Sequence, residues 1–198
     1  MPKIIDHHKR KVRIAEATWK VIVDEGIEQA SVRKIAKAAG LSTGSLRHYF
    51  SSQSELLRFS MEMVSERVIE RAKAREYSED ISPLEFLTEG VYEVLPVNDE
   101  RKIEMEVWLA FSAKVLVDST LRELSNKVYS DMHQGLKNVV LALQSLQYAK
   151  DGLDLELEVN RLHAIVDGMA MHHLLNPEHF THDEMIQTLK YHLQSLCK

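Results

Sequence analysis

With 198 residues, 44% of them hydrophobic and 28% charged, the chain has the composition of a globular protein and not of a disordered one. A single cysteine, Cys197, excludes an internal disulfide framework or a cysteine-based zinc site, and no apolar run approaches the ~18 residues of a membrane span. The net charge of -5 argues against a nucleic-acid partner, but the average conceals a split: residues 1–60 carry eleven Lys and Arg against six Asp and Glu, a balance of +5, which leaves -10 for residues 61–198. The N-terminus is too charged for a signal peptide, so a soluble cytoplasmic protein with no membrane partner is expected.

Only 7 Gly and 4 Pro punctuate the sequence, so the elements should be long. Strand alternation is weak and helical spacing nearly continuous, which predicts an all-α fold. Over 10–25, Val12, Ala15, Trp19, Ile22 and Val23 share one face, and Gly26 can end that helix. Ser31 is a candidate N-cap for a short helix with Val32, Ile35, Ala36 and Ala39, closed by Gly40. Ser42 can cap a third, running through Leu46, Tyr49 and Phe50. Capping boxes then mark four further starts, at Ser52–Glu55, Ser82–Glu85, Thr120–Glu123 and Thr181–Glu184. The first of these helices should run to about Glu76, the second should stop before Pro96, and the third should continue through about Ala149. Asn98 or Asp99 starts another, and a turn at Asp151–Gly152 precedes one from about Asp154 that ends before Pro177. The expectation is nine helices in two domains: 1–52, with a helix-turn-helix at 31–50, and 53–198.

Three short helices with a glycine between the last two form a helix-turn-helix arrangement. A major groove admits a helix whose first turns carry small polar side chains. Thr43, Gly44 and Ser45 would let the backbone approach closely, and Arg47 is long enough to reach a base edge or a phosphate. His48 and Tyr49 can donate to phosphate oxygens, while Ser31 and Arg33 stand where amide groups and a cation meet the DNA backbone. The basic run Lys9-Arg10-Lys11 is a further phosphate candidate, or a solvated tail.

The ordered pieces Ile35-Ala36, Ala39-Gly40, Ser42-Thr43-Gly44-Ser45-Leu46, His48-Tyr49-Phe50 and Leu56-Leu57 resemble the TetR family of transcriptional regulators, over about residues 8–68. The stretch from Gly44 to Phe50, with Trp108-Leu109-Ala110-Phe111, is most similar to the branch holding the choline-responsive betaine repressor and regulators of biosynthetic clusters such as polyketide synthases. The resemblance implies an all-helical homodimer with an N-terminal DNA-binding domain and a C-terminal ligand-binding and dimerisation domain. It implies a repressor that leaves a palindromic double-stranded operator when a small-molecule effector binds. Matched positions imply DNA contacts for Arg33, Thr43, Ser45, Arg47, His48, Tyr49 and Gln53, and Ser31 and Ser42 are further candidates. Arg47 stands where an aromatic residue is frequent, which moves base readout toward guanine. Gln53 stands where lysine is usual, so a phosphate contact there becomes a neutral hydrogen bond.

Leu155, Val159, Leu162, Val166, Met169 and His173 recur with heptad-like spacing, and Met185, Leu189, Leu193 and Leu196 form a second stripe. Both suit a four-helix bundle between two copies; burial inside one subunit is the alternative, and with the further apolar positions Leu157, Ile165 and Ile186 both can hold at once. Tyr92, Met105, Trp108, Phe111, Tyr129, Met132 and His133 are candidates for an effector pocket, with a filled core as the alternative. Ten histidines include His172-His173, His179 and His182, but none shows a metal-ligand spacing, so neither a metal nor another cofactor is expected. His163 and Asp167, one turn apart, could share a metal but read better as a polar pair at an interface. Hydrolase, P-loop, dinucleotide and metalloprotease signatures are all missing, so a helical enzyme with a docking hairpin is disfavoured. A transcriptional activator or an architectural DNA-binding protein is the nearer alternative to a repressor.

Overall fold

Helices begin where a short polar side chain precedes an apolar repeat. In the computed structural model, which describes residues 7–198, the Ser31 hydroxyl accepts from the Lys34 amide (3.4 Å) and opens α2 (Val32–Ala38) after α1 (His7–Glu25). Ser42 accepts from the Ser45 amide (3.0 Å) and opens α3 (Thr43–Arg47). Ser52 accepts from the Glu55 amide (3.0 Å) at the start of α4 (Gln53–Ala74). Ser82 caps α5 (Pro83–Val91) at 3.1 Å, and Asn98 caps α6 (Asp99–Val115) at 2.9 Å. Asp154 caps α8 (Leu155–Leu175), and Thr181 with Glu184 forms a complete reciprocal box at α9 (His182–Ser195). Each such cap satisfies an amide that the helix itself cannot, a contribution of about 1 kcal/mol.

Of the four expected boxes, the one at Thr181 and Glu184 is reciprocal; at Ser52 the Glu55 side chain bonds the Ser51 amide and hydroxyl instead, and at Thr120 no box forms. Ahead of α7 (Arg122–Ser145) a 3-10 turn covers Ser119–Leu121, and the Asp118 carboxylate takes both the amide (3.0 Å) and the hydroxyl (2.6 Å) of Thr120. A carboxylate two residues back takes the Thr120 amide that the Glu123 side chain would have accepted. α7 also stops four residues short of Ala149, because Gln147 turns into the left-handed region at φ 61°. Among the described residues there are nine α-helices and no strand beyond a single antiparallel bridge between Ala149 and Cys197. No described helix is long and apolar enough to cross a membrane.

The chain divides into two compact units, one of residues 1–67 with 106–125, the other of 68–105 with 126–198. The expected boundary at residue 52 is therefore not where the packing divides. α4 begins at Gln53, but its residues 53–67 belong with the N-terminal helices, as does the end of α6. In the first unit, α1 buries Ile14, Ala15, Trp19 and Ile22, α2 buries Ile35 and Ala36, and α4 buries Leu56, Leu57, Met61 and Val64. Burying each large side chain is worth about 2 kcal/mol.

The second unit is held partly by apolar packing and partly by a buried ion network. Arg71 of α4 donates to both Glu104 oxygens (3.0 and 2.7 Å) and to Glu93 (2.8 Å), and Arg101 donates to Glu93 at 2.6 Å. Glu104 is fully buried, so losing Arg71 alone would strand its charge, at a cost of about 3–5 kcal/mol. Arg75 adds bonds to the Phe86 carbonyl and Glu89 and lies over the Phe86 ring. These contacts tie the last turns of α4 to α5 and to the start of α6.

The two apolar stripes expected at a dimer seam are taken up by packing inside the subunit. Val159, Leu162, Val166 and Met169 of α8, with Met185, Leu189, Leu193 and Leu196, are all buried within one chain, and Leu155 and His173 are half-buried. A helix must first bury its most apolar face against its own subunit, and that demand uses these residues. The outward residues of α8 form a second stripe in another phase: Leu157 (62% exposed), Arg161, Ala164, Gly168, Met171 and Leu175 (60% exposed).

His192 of α9 is also buried, and burial together with the charge of Arg161 on α8 lowers its pKa to about 4. Its unfolded value is 6.5, so the unfolded chain binds the extra proton first as the pH falls between these values. Stability conferred by neutral His192 is present above pH 6.5 and declines toward pH 4. A His192→Leu variant should show a shallower fall of Tm across that window than the parent; a parallel fall would refute this contribution.

Candidate nucleic-acid interface

The positions of α2 and α3 follow from a short list of local contacts. Gly26 and Gly40 take positive φ (82° and 65°), conformations that suit glycine, and each closes a helix end. At Gly40 the turn is sealed by the Leu41 amide on the Ala36 carbonyl (2.8 Å). Leu46 is buried beneath α3 and Phe50 beneath the turn that follows. With Leu46 inside, Thr43, Gly44, Arg47 and His48 point outward and are exposed. Ser31 and Arg33 at the start of α2 are exposed as well. The expected run of α3 through Phe50 is shorter than supposed, since the helix ends at Arg47 and His48–Tyr49 form a turn.

Ser42 does more than cap. Its hydroxyl accepts the Ser45 amide and bonds the Ser45 hydroxyl at 3.0 Å, so both serines are fixed before any partner arrives. A Cβ at Gly44 would meet nothing closer than the Ser42 hydroxyl at 3.8 Å. Packing within the chain therefore does not require glycine there, although glycine inside a helix costs about 1 kcal/mol against alanine.

Gln53 has a different local role from the one expected. Its side-chain amide donates to the Ala30 carbonyl (2.8 Å), which fastens the start of α4 to the turn before α2. Beside it, Ser54 bonds the Asp118 carboxylate (2.5 Å) and Arg58 the Thr120 carbonyl (2.5 Å). The bonds from Ser54 and Thr120 hold Asp118 below the usual carboxylate range, and those from the Ser51 amide and hydroxyl do the same for Glu55. A cleft lined by Ile27, Gln53, Ser54, Leu57 and Lys114 lies at this start of α4.

Several cations of the basic segment are engaged inside the unit. Lys34 bonds Glu25 (2.5 Å) and Gln29 (2.9 Å), which ties α2 to the end of α1. Lys11 is half-buried over the Phe50 and Phe59 rings. Tyr49 is half-buried, its ring 5.2 Å from that of His7. The sequence offered no signal for the Lys34, Gln53 and Arg58 contacts, because each partner is a loop carbonyl or a carboxylate brought in by the fold.

The residues proposed for an effector pocket divide between the units. Phe111 is buried and Trp108 half-buried in the first; Tyr92 is half-buried and Met105 buried in the second. In the second unit Tyr129, His133 and His163 come together: Tyr129, 57% exposed, stacks on His163 at 4.7 Å and on His133 at 5.9 Å. Met132, on the same helix, is half-buried. His163 also faces Asp167 at 3.8 Å; burial lowers the imidazole pKa and raises that of the carboxyl. His173 Nδ1 meets the Phe180 carbonyl at 2.9 Å. No described group of three or more His, Cys, Asp or Glu is arranged to hold a metal ion.

Residues 14–58 match the tetR family of bacterial regulatory proteins, and residues 83–198 match the C-terminal domain of BetI-type transcriptional repressors. Over 197 residues the chain is 42% identical to the HTH-type transcriptional regulator PksA of Bacillus subtilis, covering 100% of this chain and 94% of that protein. It is 26% identical to the HTH-type transcriptional regulator BetI of Yersinia pestis, over 98% of this chain and 96% of the other. The fold matches a Saccharomonospora viridis protein, described as a transcriptional regulator and solved in complex with choline, at a TM-score of 0.83 and 23% identity, covering 93% and 95% of the two chains. These relatives are regulators of transcription and not enzymes. The chain belongs to the TetR family of DNA-binding transcriptional regulators.

Proposed function

We propose that the protein is a homodimeric repressor that binds a palindromic operator through α3 and leaves it when a small-molecule effector binds. The observation that carries this reading is the outward face of α3, where Thr43, Gly44 and Arg47 are exposed on a helix fixed by Ser42 and Leu46. Residues 1–52 supply DNA recognition, with Ser31, Arg33 and His48 on phosphates and Arg47 on a guanine edge. The Ser45 hydroxyl proton is available to the groove while its oxygen is held by Ser42. Gln53 acts by bracing α4 and not as the phosphate ligand that lysine would be. Glycine at position 44, costly to the helix and unneeded by the core, is explained by close approach of the DNA backbone.

Residues 53–198 supply effector binding and dimerisation. The choline held by the Saccharomonospora relative supports a small molecule as the releasing signal. α4 carries that signal, because it is one continuous helix from the Gln53, Ser54 and Arg58 contacts to the Arg71 and Arg75 network. An effector releases DNA only by the difference in its affinity for the bound and free arrangements. Dimerisation uses the outward stripe of α8, where Ala164 and Gly168 permit close helix approach and Leu157, Met171 and Leu175 supply apolar area. Two copies about a two-fold axis set two α3 helices against the half-sites of a palindrome.

The test is electrophoretic mobility shift on the DNA upstream of the protein's own gene at moderate salt. The parent should form a discrete complex. Arg47→Ala should lose about 1–3 kcal/mol of preference for that DNA. Gly44→Ala should keep or raise Tm yet weaken the complex. Absence of any sequence-specific complex from the parent would refute the reading. For the dimer, the double variant Met171→Glu with Leu175→Glu should sediment as a folded monomer with parental helicity; a dimer that persists would place the interface elsewhere.

A further inference from the structure

The first turn of α1 lies against the chain segment that immediately follows α3. The His7 ring is 5.2 Å from the Tyr49 ring, and the His8 ring meets Phe59 edge-on at 6.4 Å. Phe59, on α4, is 5.4 Å from Phe50. Lys11 Nζ lies 5.1 Å from the centre of the Phe50 ring and 5.6 Å from that of Phe59. A cation at such distances is attracted by the negative faces of both rings. The Glu55 carboxylate, fixed by the Ser51 amide and hydroxyl, also feels the Lys11 charge.

This cluster matters because α3 has five residues and makes too few internal bonds to hold its own direction. Its leading end is set by Ser42. Its trailing end is set by where Tyr49 and Phe50 are held. Taken from the sequence, Lys11 is one of three consecutive cations and reads as a phosphate ligand. Within the fold its ammonium is drawn onto an aromatic pair directly behind the recognition helix.

We propose that Lys11 is a positioning residue for DNA recognition: through Phe50 and Phe59 it fixes the trailing end of α3, and with it the approach of Arg47 to base edges. The inference rests on α3 being the recognition helix. A phosphate ligand and a positioning residue leave different signatures. The ligand strengthens binding to every duplex and contributes to the salt slope, by roughly 0.9 per contact. The positioning residue acts where base edges are read and leaves the slope unchanged.

The full-length parent, Lys11→Met and Lys11→Arg are compared on two duplexes, one selected by the parent from a randomised pool and one of scrambled sequence, with Kd measured over a series of salt concentrations. Lys11→Met should lose roughly fivefold or more on the selected duplex, stay within about twofold on the scrambled one and keep the parental salt slope. Lys11→Arg, which retains a cation over the rings, should stay near the parent on both. A shallower salt slope with equal losses on both duplexes would overturn the inference in favour of a phosphate contact. Parental affinity for both duplexes with only a lowered Tm would overturn it in favour of a purely structural role. A parent that selects no duplex would overturn both this inference and the reading of α3.

Discussion

A helix of five residues, as α3 is, cannot fix its own position, and much of the N-terminal unit follows from that constraint. Ser42 locks the first turn by taking the Ser45 amide, and Leu46 anchors the middle by burial. Tyr49 and Phe50 hold the far end against α1 and α4. Gln53 fastens the beginning of α4 to the Ala30 carbonyl, and Ser54 and Arg58 fasten it to the turn at 118–120. The exposed face that remains contains small side chains and one long cation, a combination suited to a groove.

The positive charge of residues 1–60 serves two purposes that a net count merges. Lys34 joins α2 to α1 through Glu25, and Arg58 satisfies a backbone carbonyl. Lys11 lies over aromatic rings. Arg33, Lys37 and Arg47 remain on the exposed side of the helix-turn-helix. In the other unit the opposite economy holds: Glu93 and Glu104, two of the acids that make the body negative, are buried and neutralised by Arg71 and Arg101. Surface potential is set by the charges left over after such pairing, so the asymmetry between the ends is a matter of placement as well as number.

The local grammar of the fold was legible in the sequence because capping depends on neighbours three residues apart. Ser31, Ser42, Ser52, Ser82 and Thr181 all cap as read. Thr120 did not, since Asp118 was the stronger local acceptor. Heptad spacing in α8 was legible too, but its phase was not. The stripe through Val159, Leu162 and Val166 and the stripe through Leu157, Ala164 and Met171 share a period, and spacing alone does not say which faces the subunit's own core. Side chains whose partners come from distant loops, as Gln53 and Arg58 do, leave no sequence signal at all. The exposed face of α3, by contrast, follows from Leu46 and the cap, and both are local.

The central claim is that Arg47 on this face reads guanine in the major groove. Methylation interference at guanine N7 tests it most directly, with the parent and Arg47→Ala compared on a duplex that the parent binds specifically. N7 is an acceptor for arginine at the major-groove edge of guanine, and a methyl group there removes it. The account predicts one guanine in each half-site whose methylation blocks the parent but leaves the residual binding of Arg47→Ala unaffected. Binding by the parent that is indifferent to N7 methylation at every guanine would contradict it.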